Sequence, residues 1–262
     1  MIGAGAVGKV YVATCRKTSK NVAVKFLRKS FLRRPSVVAR FIDEAAVLAR
    51  LKHPGIIRLH GLGRTPQGGL FIVMDLMSGG DLARRIAASS VAFADAARWT
   101  AEAADAVQHA HEQGVIHCDL KPSNLLLDAD EHVIVTDFGL ARDESTATEA
   151  TVIAGTPAFM APEQVTDFYG QMGPHTDLYG LGAVLHTLLT GRPPITEVGT
   201  VETLAAVVSG KPVTSPDRLR PDIPPMLTRV CMRCLQKQPE ARINHAGALA
   251  RALRDPMILA HQ

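Results

Sequence analysis

The sequence predicts an α+β fold in two lobes, a small antiparallel β lobe carrying one helix and a larger, mainly α lobe. Three observations predict it. Apolar runs with strand character crowd into the first 77 residues; after Ser78-Gly79-Gly80 the composition turns alanine-rich and helical; and 262 residues that are 47% hydrophobic can bury a sizeable core. One domain is expected over 1–262, with residues 1–77 forming the small lobe and its exit and 78–262 forming the large lobe.

The first strands follow from alternation. KVYVATC and NVAVKFL both read as β-strands, joined by a turn around Ser19 to Asn21. Ahead of them Gly3, Gly5 and Gly8 stand in G-x-G-x-x-G spacing with Val10 beyond, a pattern that lets backbone amides approach a polyphosphate. The same spacing opens dinucleotide-binding units, but those continue into a helix, and here a second strand follows. Pro35 and Ser36 mark a helix start, and Val37, Val38, Phe41, Ile42, Ala45 and Leu48 recur at three- and four-residue steps. Glu44 lies beside that stripe. Strands are then expected around Ile56 to Leu62 and Leu70 to Asp75, separated by a Pro-Gln-Gly-Gly turn.

In the second part, Ala94 to Glu112 reads as a long amphipathic helix, with Gly114 in the favoured position just past its end. The stretch from His117 to Gly139, HCDLKPSNLLLDADEHVIVTDFG, carries the chemistry. Asp119, Lys121 and Asn124 share one polar, proline-containing loop. A carboxylate can accept the proton of an incoming hydroxyl, and an ammonium two residues on can neutralise a transferring phosphoryl group. Asn124 offers a neutral oxygen and Asp137 a charged one, a donor set that suits Mg²⁺ together with substrate phosphates. Beyond lies a helix opening near Asp177, DLYGLGAVLHTLLTG, apolar on nearly every face and so expected at the centre of its lobe. Gly180 and Gly182 lower helix propensity there by roughly 1 kcal/mol each, which points to close packing. Further helices are expected around Val201 to Ser209, Pro225 to Gln236 and His245 to Arg254.

HCDLKPSN followed by DFG resembles the catalytic and metal-binding loops of protein kinases, and the lysine at 121 resembles the serine/threonine branch. GTPAFMAPEQ is similar to the form found in the eukaryotic-type kinases of bacteria. The resemblance implies transfer of the γ-phosphoryl group of ATP to protein Ser/Thr hydroxyls, with ATP and Mg²⁺ as cofactors. It implies that Asp119 and Lys121 are catalytic and that Asn124 and Asp137 hold the metal. Gly3, Gly5, Gly8, Val10 and Lys25, paired with Glu44, would hold the nucleotide. Met74 would guard the back of the adenine pocket, and Asp75 to Met77 would form the hinge whose backbone bonds the adenine. By the same resemblance His117 is structural, Thr156 bonds Asp119 and Lys121, Asp177 caps the catalytic loop, and Arg242 pairs with Glu163 of Ala161-Pro162-Glu163.

Two departures shape the expectation. Cys118 stands where the family carries an arginine that receives a loop phosphate, and a thiol cannot make that bidentate contact. Activity is therefore expected to depend weakly or not at all on phosphorylation of Ser145, Thr146, Thr148 or Thr151, with Arg142 the other candidate receiver. Only Met1 and Ile2 precede Gly3, so a short first strand is expected, with a loosely held glycine loop or a chain truncated at its start. Both departures keep an inactive pseudokinase, acting as a binding module, as the alternative reading. A small-molecule phosphotransferase fits less well, because GTPAFMAPE and the Asp177 helix resemble the peptide-docking side of protein kinases.

Composition bounds the partners. The first 42 residues hold ten Lys or Arg and no acidic residue, leaving 19 basic against 25 acidic side chains in the rest. No aromatic interleaving accompanies that basic stretch, so it reads as a solvated face and no nucleic acid is expected. No apolar run reaches membrane-span length and no signal-peptide order opens the chain, so a cytoplasmic protein is expected. Cys231 and Cys234 form a CxxC without a second pair at ligand spacing and read as two core positions on one helix face.

Overall fold

The computed structural model describes residues 1–5, 7–138, 142–143 and 156–260, the pair 142–143 as backbone only. A five-stranded antiparallel sheet occupies the first part of the chain, in the order β1-β2-β3-β5-β4. Its strands are β1 (Gly3–Ala4), β2 (Gly8–Thr14), β3 (Asn21–Leu27), β4 (Leu59–Arg64) and β5 (Leu70–Asp75). β2 and β3 pair in full register from Gly8 opposite Leu27 to Thr14 opposite Asn21, and Ser19 turns the corner with φ +55°. The alternation seen in the sequence is thus a true hairpin.

Helix α1 (Pro35–Arg50) starts on its proline, as expected, and turns Phe41, Glu44, Ala45 and Leu48 inward. Ile42 departs from the expected stripe: it is exposed, because the inward face is set by Phe41 and Glu44 on either side of it. The expected strand at Ile56 also begins later, at Leu59. Ile56 forms instead an isolated parallel bridge with Val135, Ile57 N–H donates to Val135 O at 2.9 Å, and Val135 N–H donates to Gly55 O at 2.8 Å. These three residues fasten the sheet-bearing part of the chain to the hairpin β7 (Leu125–Leu127) and β8 (Val133–Val135).

Among the described residues seven further helices follow: α2 (Leu82–Ala88), α3 (Phe93–Glu112), α4 (Pro174–Thr190), α5 (Thr200–Val208), α6 (Pro216–Leu219), α7 (Pro225–Cys234) and α8 (Ala246–Leu253). Helix α3 lines its inward face with alanines and Trp99, which lets α4 and α8 approach closely. Every residue of α4 from Thr176 to Leu189 is buried. It begins at Pro174, three residues before the expected start, which places Asp177 in its first turn. A methyl group on Gly182 would stand 2.5 Å from Cys234 Cβ and one on Gly180 2.9 Å from Leu120 Cβ, so α4 carries glycine where α7 and the loop before β7 press on it. Cys231 and Cys234 are both fully buried on α7, core positions as their spacing implied.

One strand pair was not legible. β6 (Val115–Ile116) pairs antiparallel with β9 (Arg142–Asp143). Two-residue strands carry too little pattern to be read from sequence.

Candidate active site

The loop between β6 and β7 is built on Asp177. Its buried carboxylate accepts hydrogen bonds from His117 N–H and Cys118 N–H, each at 2.8 Å, and from His111 Nε2 at 2.8 Å. These bonds hold Cys118 in the left-handed region, φ +63°, a conformation a non-glycine residue adopts at a cost. Burial alone would push the Asp177 carboxyl up; the His111 bond and the charges of His111 and His117 outweigh it and hold the group below the usual carboxylate range. His117 Nδ1 accepts from Asp119 N–H at 3.2 Å while Nε2 bonds Thr136 O at 3.0 Å, so this ring braces the loop. Phe138 lies against it with ring centroids 4.6 Å apart.

Braced in this way, the loop presents Asp119, Lys121 and Asn124 together. Lys121 Nζ donates to Asp119 Oδ2 at 2.7 Å and to Thr156 Oγ1 at 3.0 Å. Asn124 Nδ2 donates to the same Oδ2 at 3.1 Å and to Asp119 O at 2.8 Å. Asp119 Oδ1 has no protein hydrogen bond among the described residues. The expected Thr156 contact is therefore present on Lys121, whereas Asp119 spends its bonded oxygen on Lys121 and Asn124.

A second cluster joins three distant segments. Lys25 Nζ on β3 lies 2.7 and 2.9 Å from the two Glu44 carboxylate oxygens on α1, and 2.7 Å from Asp137 Oδ1. Burial by itself would lower the Lys25 pKa; the charges of Asp137 and Glu44 reverse this and raise it above its ordinary value. Burial likewise works against ionised Asp137, and Lys25 overcomes it, leaving that carboxyl depressed. Asp137, at φ +66°, keeps its side chain 43% exposed and its Oδ2 without a protein partner among the described residues. With Asn124 Nδ2 committed to Asp119, the Asn124 amide oxygen and the outer Asp137 carboxylate oxygen are two groups that could hold a cation. One carboxylate plus one amide suits a hard divalent ion completed by phosphates. Among the described residues no group of three or more His, Cys, Asp or Glu is placed to hold a metal ion.

The glycines lie at the sheet end of this cluster. Gly3 pairs with Val10 and Val10 with Lys25, which puts all three in one row of the sheet. Gly5 N–H closes a turn onto Gly8 O at 3.0 Å. A Cβ on Gly8 would come within 2.9 Å of Phe26 O and 3.4 Å of Lys25 Cγ, so glycine is required where the turn crosses β3. Met74 is buried on β5, opposite Ala23. Asp75 ends that strand and its side chain bonds His60 Nε2 at 2.6 Å. Met77 packs against the core, and among the described residues no protein hydrogen bond engages its backbone.

The family model described as protein kinase domain matches residues 1–255. The chain belongs to the protein kinase family. Kinases of this family use ATP and typically a divalent metal. Relatives include the serine/threonine-protein kinase PkaA of Streptomyces coelicolor, 37% identical across 97% of this chain and 48% of its own length. PknJ of Mycobacterium tuberculosis is 36% identical across 96% of this chain and 44% of its own, and AtPK1/AtPK6 of Arabidopsis thaliana 33% across 93% and 50%. The chain thus spans about half the length of the curated relatives it matches. Among the described residues no helix is long and apolar enough to cross a membrane.

One pair expected from the resemblance is present in detail. Arg242 and Glu163 form a bidentate pair, at 2.6 and 2.8 Å, with both side chains fully buried. The remaining Arg242 donors go to Gln236 O, His175 O and Lys237 O, so all five N–H groups are used. Sequence reasoning missed Gln164, whose amide donates to Cys118 O at 2.7 Å and accepts from Ala161 N–H at 2.9 Å, and His111, the third donor to Asp177. Gln164 was visible as the last letter of GTPAFMAPEQ; nothing local marks His111. Ser145, Thr146, Thr148 and Thr151 lie outside the described residues, and of Arg142 only the backbone is described.

Proposed function

We propose that the protein transfers the γ-phosphoryl group of ATP to serine or threonine hydroxyls of protein substrates. The two lobes would be 1–77 and 78–262, with the nucleotide between them. The observation that carries the reading is Asp119, held on Oδ2 by Lys121 and Asn124, with Oδ1 open among the described residues. In the proposed reaction a substrate hydroxyl gives its proton to Oδ1 as its oxygen bonds the γ-phosphorus. The bond from that phosphorus to the β–γ bridging oxygen breaks, and ADP leaves. Lys121 has a third ammonium donor beyond those on Asp119 and Thr156, and this would meet the charge on the moving phosphoryl group. Lys25, fixed by Glu44, would hold the nucleotide phosphates, with the turn from Gly3 to Gly8 and Val10 above it and Met74, Asp75 and Met77 at the adenine. Mg²⁺ is the proposed cation, held by Asn124 and Asp137 and neutralising phosphate charge. A cytoplasmic site of action is part of the proposal, supported by four cysteines that form no disulfide.

Intact mass after incubation with Mg²⁺ and ATP tests the reading, with and without a generic basic protein and beside Asp119→Asn. A gain of one phosphate unit or more on either protein, absent from the variant, is the expected result. No gain on a folded protein would overturn it in favour of a pseudokinase.

A further inference from the structure

Arg28 bonds two residues of the turn between β1 and β2. Arg28, the first residue after β3, donates its backbone N–H to Val7 O at 3.0 Å and its guanidinium Nη2 to Gly5 O at 2.6 Å. At Gly5 itself there is open space: nothing lies within 4 Å of the point where its Cβ would stand. Arg28 enters no ion pair among the described residues, and its Nε is buried without a partner, a cost that a side chain extended into solvent would avoid. The guanidinium is thus committed to a loop carbonyl.

From this geometry we infer that Arg28 is a positioning residue that sets the glycine loop for nucleotide binding. The inference rests on the nucleotide-site reading above. The C=O and N–H of a trans peptide point to opposite edges of its plane. With Val7 O turned to Arg28, the Gly8 N–H lies on the other edge, and a second bond at Gly5 O stops the turn from rotating. An anionic phosphate needs amide edges that are already aimed. Arg28 supplies that aim without touching the reacting atoms, which Asp119 and Lys121 surround from another part of the chain. Its loss therefore moves the cost of ordering the loop onto nucleotide binding and leaves the chemical step alone. The turn that follows the two-residue outer strand is thus tied to the residue that follows β3.

Arg28→Ala and Arg28→Lys in the full chain test this, by hydrogen exchange of the nucleotide-free protein and by steady-state kinetics in ATP. Loss of one charge-assisted hydrogen bond is expected to speed amide exchange over residues 3–8 and to raise KM for ATP, each by about tenfold, with kcat within about twofold. Lysine, which keeps one charged donor, should recover part of both effects. Unchanged loop exchange, unchanged KM, or a fall in kcat alone would overturn the assignment. A wild-type protein that neither binds nor uses ATP would overturn the nucleotide-site reading and with it this role. The exchange comparison would still decide whether Arg28 holds the turn.

Discussion

Replacing Asp177 by asparagine keeps the shape of the side chain and removes what it does. The carboxylate accepts three hydrogen bonds, from His117 N–H, Cys118 N–H and His111 Nε2. An asparagine offers one acceptor oxygen and turns an NH₂ toward the others. His111 can change tautomer, but a backbone N–H cannot, so at least one buried amide is left facing a donor. An unsatisfied buried donor costs about 1–3 kcal/mol, and the loss of charge from the remaining bonds adds about 1–2 kcal/mol. A destabilisation of about 2–5 kcal/mol is expected at pH 7, a melting point lower by roughly 5–15 °C for a chain of this size. Activity should fall further than stability, because Cys118 is held in the left-handed region next to Asp119, and a shift of about 1 Å there costs on the order of 100-fold. The pH dependence has a definite sign. The folded pKa of Asp177 lies below that of the unfolded chain, about 3.9, so the carboxylate's stabilisation is fully present above that pH. It is lost as the pH falls through the folded value. The stability gap between wild type and Asp177→Asn should therefore be constant near neutrality and close below about pH 4. Urea denaturation from pH 3 to pH 8 measures it. A gap under about 0.5 kcal/mol at pH 7, or one that widens in acid, would refute the reasoning.

Substitutions at Gly182 and Arg242, with Gly61 on β4 as a control, probe packing. Gly182→Ala places a methyl 2.5 Å from Cys234 Cβ and should cost about 1–3 kcal/mol by denaturation, whereas Gly61→Ala, with nothing within 4 Å, should stay within about 0.5 kcal/mol of wild type. Equal effects would mean that the approach of α4 to α7 yields easily. Arg242→Lys keeps the charge opposite Glu163 but cannot fill five acceptor positions in a fully buried site, so a loss of about 3–5 kcal/mol is expected in the same assay. A loss below about 1 kcal/mol would show that lysine is accommodated and that the bidentate geometry matters little.

Much of the site was legible because its chemistry is local in the chain. Asp119, Lys121 and Asn124 fall within one short loop, and a polar, proline-bearing loop between apolar runs is a pattern that sequence displays directly. The hairpin of β2 and β3 and the proline start of α1 were legible for the same reason, since period and capping are properties of adjacent residues. The limits of that reading are equally physical. Periodicity places Ile42 on a stripe but does not say where the buried arc ends, and apolar character at Ile56 does not say which strand it joins.

Sequence alone specified most of the element types, the polar loop that holds Asp119, Lys121 and Asn124, and the family pattern that contains Lys25, Glu44 and Asp137. Tertiary structure alone decided that a single ammonium lies 2.7 Å from carboxylate oxygens of both Glu44 and Asp137, the latter 112 residues away. It decided that Asp177 meets both His111 and the loop backbone, that Gln164 closes on Cys118, and that Arg28 turns back onto Gly5. Each of these is a hydrogen bond between segments remote in the chain. Its strength depends on ångström-scale distance and on exclusion of water, and both arise only when the two segments pack against a common core.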